Sequence, residues 1–142
     1  MFKDTKCIVI DAENETVTAV KLNGDYREIY RVGGFDCFDS VRIDQHNVIY
    51  VDDEGLLHDP KHFFMFRGYP QPLAGRGVVL GVDDAGESIP TTWSVEEIKS
   101  DVKFSHNLRV AGFDTSEEKG DVLGKPGVIM RSTPVFREEP DE

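Results

Sequence analysis

The chain has 142 residues, 27 of them Asp or Glu against 16 Lys or Arg, for a formal net charge of −11 and an isoelectric point near 4.7. That length suits one domain, and 39% hydrophobic residues exclude a wholly disordered chain. The acidity argues against direct contact with nucleic acid or an anionic membrane surface, where Lys and Arg must meet phosphates.

No apolar run approaches the roughly 20 residues of a membrane span. Lys3, Asp4 and Lys6 interrupt any apolar start, so no secretory leader is expected. A cytoplasmic, reducing location follows, with Cys7 and Cys37 as free structural thiols.

In chain order, Lys6 to Ala12 and Glu15 to Leu22 read as two strands of a hairpin turning at Glu13-Asn14. Val17 and Val20 break the strict alternation of the second strand. Asn23-Gly24 is a turn signal. Asp25 can cap a short helix through Val32, with Tyr26, Ile29 and Tyr30 on one stripe and Gly33-Gly34 ending it. Phe38 to Ile43 and Val48 to Val51 read as strands joined by Asp44 to Asn47. Asp53-Glu54-Gly55 is a turn, His62 to Arg67 is compact and aromatic, and Gly68 to Gly77 is a loop. Val78 to Val82 reads as a central strand, followed by a turn at Asp83 to Gly86.

Ser94-Val95-Glu96-Glu97 fits a capping box opening a second helix to Asp101, with two Glu placed to suit the helix dipole. Val102 to Val110 reads as one last strand. Residues 114–142, with eight acidic and four basic residues, read as an extended tail behind a domain of 1–113. Val128-Ile129-Met130 and Val135-Phe136 could dock it on the domain or a partner.

The expected fold is α+β: a mainly antiparallel sheet of five to seven strands, two short helices on one face, and the tail. Exposed strand edges would permit a homodimer.

Three constellations carry possible chemistry. Val51-Asp52-Asp53-Glu54-Gly55 and Val82-Asp83-Asp84-Ala85-Gly86 repeat one pattern. It suits two β-turns, a cation site, or an acidic surface for a protein partner; the spacing is not that of an EF-hand. His58 and His62 stand four apart, but Pro60 intervenes and no third ligand has a recognisable spacing, so no metal site is assigned. Gly75-Arg76-Gly77-Val78-Val79-Leu80-Gly81 is neither a dinucleotide fingerprint nor a phosphate loop. It reads as a tight loop before a strand, with Tyr69 and Arg76 as the alternative lining of a small-ligand pocket. No nucleophile elbow occurs. No catalytic residue and no cofactor is expected, and an enzyme of unrecognised type stands as the remaining alternative.

The run Val48 to Leu57, with Phe63-Phe64, Gly68-Tyr69-Pro70-Gln71-Pro72-Leu73-Ala74-Gly75-Arg76-Gly77 and Val78-Val79-Leu80-Gly81, resembles short acidic proteins of bacteriophages, plasmids and other mobile elements. The resemblance covers about residues 6–105 and implies no catalytic residue. It implies a non-catalytic inhibitor of a host defence or nucleic-acid-binding protein. Its carboxylates would imitate phosphates and occupy a basic surface, such as that of a nuclease or nucleoprotein. The residues expected to meet that partner are Asp52, Asp53, Glu54, Asp83, Asp84, Glu87, Glu96 and Glu97.

Overall fold

A computed structural model describes residues 5–22, 27–34, 38–52 and 60–139. The expected Asn23-Gly24 turn, the Asp25 cap and the positions of Cys37, Asp53, Glu54, Gly55 and His58 lie outside the described residues. The chain divides into two compact units, Met1–His106 and Asn107–Glu142.

The first unit is built on a six-stranded antiparallel sheet. Its strands are β1 (Thr5–Asp11), β2 (Thr16–Leu22), β3 (Phe38–Arg42), β4 (Asn47–Asp52), β7 (Arg76–Val82) and β8 (Ser88–Ile89). The order is β2-β1-β7-β4-β3, with β8 pairing β7. β7 is central, as its apolar run demands: Gly77 to Leu80 are all buried. A second sheet, β6 (Leu73–Ala74), β5 (Phe63–Phe66) and β9 (Val102–Ser105), has the order β6-β5-β9. The α+β expectation holds, and every described strand pair is antiparallel.

The two helices, α1 (Arg27–Gly33) and α2 (Val95–Asp101), cover opposite faces of the large sheet, not one face. Strand parity makes the assignment. Cys7, Val9, Val78 and Leu80 face Ile29 and Val32 of α1. Ile8, Ile10, Ile49 and Val79 pack with Phe64 and Phe66 of the second sheet and Ile98 of α2. These two apolar layers also explain the broken alternation in β2. Val17 belongs to the α2 side, while Val20 and Leu22 belong to the α1 side, so one strand changes its buried face midway.

The Ser94 box forms as expected. The Ser94 hydroxyl accepts from the Glu97 N–H at 3.1 Å, and the Glu97 carboxylate accepts from the Ser94 N–H at 3.3 Å.

Local packing explains the glycine-rich stretch. Gly75 takes φ +73° in a turn, and β7 begins one residue later. A Cβ on Gly77 would stand 2.7 Å from Phe64 Cζ and 2.9 Å from Ile49 Cγ2. On Gly81 it would stand 2.5 Å from the Pro90 carbonyl oxygen. Both glycines therefore admit a neighbour into the sheet surface.

Two expectations need correction. Residues 102–110 are not one strand: β9 ends at Ser105, and β10 (Leu108–Val122) starts a separate sheet. Most of the expected tail is a regular antiparallel hairpin of β10 with β11 (Lys125–Glu138).

Candidate functional site

The antiparallel order decides which charged residues meet. β4 pairs β7 with Asn47 opposite Gly81 and Tyr50 opposite Val78. Extending that register sets Asp52 level with Arg76. Asp83, seven residues further along β7, then lies about 24 Å away at ~3.4 Å per residue. The strand end at Asp52 and the turn at Asp83 therefore lie at opposite ends of the sheet. Asp52 and Asp83 are not brought together, and among the described residues the two repeats do not place their carboxylates at one end of the sheet; Asp53 and Glu54 lie outside the described residues.

Several of those carboxylates are occupied within the chain. Asp83 accepts from the Ala85 and Glu87 N–H groups at 3.0 and 2.8 Å, which makes its turn. Glu97 caps α2, and Glu96 stands 3.8 Å from Lys99. Asp84 and Glu87 are exposed near Asp44, because the Val82 N–H bonds the His46 carbonyl oxygen and joins the two turns. Asp44 itself accepts from the His46 and Asn47 N–H groups at 2.7 and 2.8 Å. Burial opposes its ionisation, but these donors outweigh it and hold the carboxyl below its ordinary value.

The opposite end carries a polar cleft of about 320 Å³, lined by Val9, Asp11, Thr16, Thr18, Val20, Arg31, Val32 and Arg76. Register builds it. Asp11 is opposite Thr16 on β2 and Arg76 on β7, while Val9 is opposite Thr18. Cross-strand partners share a face, so the carboxylate, two hydroxyls and a guanidinium stand together beside α1.

Asp11, 8% exposed, is buried. Asn14 donates to it through its backbone N–H at 3.2 Å and its side chain at 2.9 Å. Arg76 Nε lies 3.3 Å from Asp11 Oδ2. Desolvation raises the Asp11 pKa, but the Asn14 bonds and the Arg76 charge prevail and hold it below the usual value. Arg76 Nη1 also donates to the Val32 carbonyl oxygen at 3.4 Å. These bonds orient the guanidinium, and its Nη2 remains without a partner among the described residues. Arg31 is held by Glu28 one turn back along α1, with Nη2 at 3.2 Å.

Tyr69 and Arg76, the alternative ligand pair, are separated by the sheet. Tyr69 packs on the α2 side and Arg76 on the α1 side. The sequence reading missed Asp11, Thr16, Thr18 and Arg31. The alternating Thr16 and Thr18 were the available signal, but their meaning needs the register to Asp11 and Val9.

His62 contacts His106 rather than a helical neighbour, with Nδ1 to Nδ1 at 2.8 Å, and His106 Nε2 lies 3.4 Å from Glu15. Among the described residues no group of three or more His, Cys, Asp or Glu is placed to hold a metal ion. No helix is long and apolar enough to cross a membrane.

Fold and cleft thus define an α+β domain with a sheet covered on both faces and a polar cleft beside its first helix. Residues 5–103 match the family described as Domain of unknown function (DUF3846), and the chain belongs to that family. All the lining residues of the cleft fall inside the match; the β10–β11 hairpin lies beyond it. The chain is also similar to "Uncharacterized protein y4iR" of Sinorhizobium fredii, at 27% identity over 104 residues, or 71% of this chain and 63% of that protein. The chain therefore covers less than two thirds of that relative's length. No solved structure matches.

Proposed function

We propose that the first unit is a non-catalytic binding domain that seats a small anionic ligand in the cleft of Asp11, Thr16, Thr18, Arg31 and Arg76. The supporting observation is the convergence of two guanidinium groups and two hydroxyls, from three different elements, on one cleft of a strongly acidic chain. Guanidinium donors suit carboxylate and phosphate oxygens, and Asp11 can accept from a neighbouring hydroxyl or amino group of the ligand. The volume lies near the lower end of the ~300–1,000 Å³ typical of ligand pockets, which favours a phosphomonoester or dicarboxylate.

The test is isothermal titration with glycerol phosphate, succinate and inorganic phosphate. Arg76→Gln should weaken binding at least tenfold. Thr18→Val, which keeps the Asp11–Arg76 ion pair, should weaken it severalfold, and Arg67→Gln on the exposed surface should not. Heat from none of the three anions, or equal affinity of Arg76→Gln, contradicts the proposal.

A second reading keeps the acidic surface as the working part. On it, the protein acts in the cytoplasm, belongs to a phage or other mobile element, and inhibits a host nuclease or nucleoprotein by occupying its basic surface. The observation favouring it is the grouping of Asp44, Asp84 and Glu87 at joined turns. Complementary charge acts mainly on association rate and is screened over roughly 8–10 Å. Asp84→Lys with Glu87→Lys should slow capture of a basic partner recovered by pull-down; salt-independent, unchanged on-rates would dismiss it.

A further inference from the structure

The β10–β11 hairpin has one face that matches itself. Leu123 and Gly124 form its two-residue turn with φ +53° and +78°, the left-handed pair that such hairpins require. Cross-strand partners Phe113/Pro134, Thr115/Ser132, Glu117/Met130 and Lys119/Val128 lie on one face. The exposed large apolar side chains on it are Phe113 at 40%, Val128 at 55% and Met130 at 57%; Leu123, at 98%, stands in the turn, and Val135, at 39%, has the opposite parity. A two-stranded hairpin alone is marginal in water, so covering this face would stabilise it.

The pattern says what covers it. Take a two-fold axis lying between two stacked hairpins, across the strands, level with residues 118 and 129. It sets Glu117 over Lys119 of a second copy and Lys119 over Glu117. It also sets Met130 over Val128 twice, with Phe113 level with the turn of the second copy. Opposite charges and apolar side chains thus meet their complements, as a two-fold interface requires. Pairing through the outer edge of β11 is disfavoured. Pro126 and Pro134 are eight residues apart and share a parity, and the ladder tolerates them only where the missing N–H looks outward.

We propose that this hairpin is a self-association arm, and that two copies of the chain pack these faces antiparallel. Eight residue steps from Phe113 to Asp121 and two strands give a face of about 27 by 10 Å. Roughly 600 Å² is then buried in all, the scale of a weak, transient contact. Association in the micromolar range is expected, independent of any ligand in the cleft.

The test is sedimentation equilibrium of the full chain from about 5 to 500 µM, a span that brackets micromolar dissociation constants. The wild type should pass from monomer to dimer, and Met130→Glu should weaken association at least tenfold. Lys119→Glu and Glu117→Lys should each weaken self-association, while a 1:1 mixture of the two should recover it, because one copy then offers two acids and the other two lysines. Far-UV circular dichroism checks that the variants keep their strands. A wild type monomeric at all concentrations, charge variants that associate like wild type, or a mixture that recovers nothing would each overturn the proposal.

Discussion

Replacing Gly77 with Ala adds one methyl group where Phe64 of the second sheet packs on the large sheet. That Cβ would stand 2.7 Å from Phe64 Cζ and 2.9 Å from Ile49 Cγ2, about 1 Å inside the ~3.5–4.0 Å optimum for carbon pairs. Phe64 and Ile49 are fully buried, so neither can swing into solvent. Overpacking of this kind costs about 1–3 kcal/mol. Replacing a strand Gly returns about 0.5–1 kcal/mol of backbone entropy. The net loss centres on about 1 kcal/mol, which lowers the Tm of a unit near 100 residues by roughly 4–8 °C. Scanning calorimetry of the wild type and Gly77→Ala reads it directly. Phe64→Leu removes the clashing ring atom, so the double variant should lose less than the sum of the single losses. A Gly77→Ala protein melting at the wild-type temperature would refute the close-approach argument.

Asn47 is 1% exposed and joins Asp44, Thr91 and Thr92. Its side-chain oxygen accepts from the Thr91 hydroxyl at 2.6 Å, and its amide donates to the Thr92 hydroxyl at 2.9 Å. Asn47→Ala should therefore cost about 1–3 kcal/mol in urea titrations, and an unchanged midpoint would deny that network its role. Asp11 and Asp44 both have folded-state pKa values below the ordinary aspartate value. The unfolded chain binds more protons there, so their contribution is present above about pH 4 and is lost as pH falls through the lower folded values. Asp11→Asn should flatten the acid limb of the stability–pH curve, and an identical limb would count against the Asn14 and Arg76 contacts. Burial pushes the Cys7 thiol up to about 11, so in a Cys37→Ser variant alkylation by iodoacetamide at pH 8 should require unfolding. Rapid labelling of the folded chain would contradict that burial.

How much was legible in the sequence depends on the range of the interaction involved. The α2 cap was readable because Ser94 and Glu97 complete it within one turn. The first hairpin was readable from its β-branched residues and the turn signal at Glu13-Asn14, although the connection is longer than that, with β1 ending at Asp11 and β2 starting at Thr16. The close approaches at Gly77 and Gly81 were not, because Phe64 and Pro90 reach them only through the tertiary fold. Strand direction separated Asp52 from Asp83: similar strand ends point apart when their strands are antiparallel neighbours, and local pattern carries no sign of that. The C-terminal hairpin was hidden because charge, Pro and Gly interrupt its strands (Pro126 and Pro134 at one parity, Gly120 and Gly127 at the other), so no buried alternation marks it. The cleft was half visible, with Arg76 singled out by chemistry and Asp11, Thr16 and Thr18 assembled only by register.

The central claim is that the Arg76 cleft seats an anion, and the most direct measurement is an NMR titration of ¹⁵N-labelled protein with glycerol phosphate. Arginine Nε–Hε cross-peaks, assigned through single Arg→Lys variants, report each guanidinium separately. The account expects saturable shifts at Arg76 and Arg31, with backbone shifts at Thr16 and Thr18, while Arg67 and Arg109 stay in place. Shifts spread evenly over all the arginines, or none at Arg76, would contradict it.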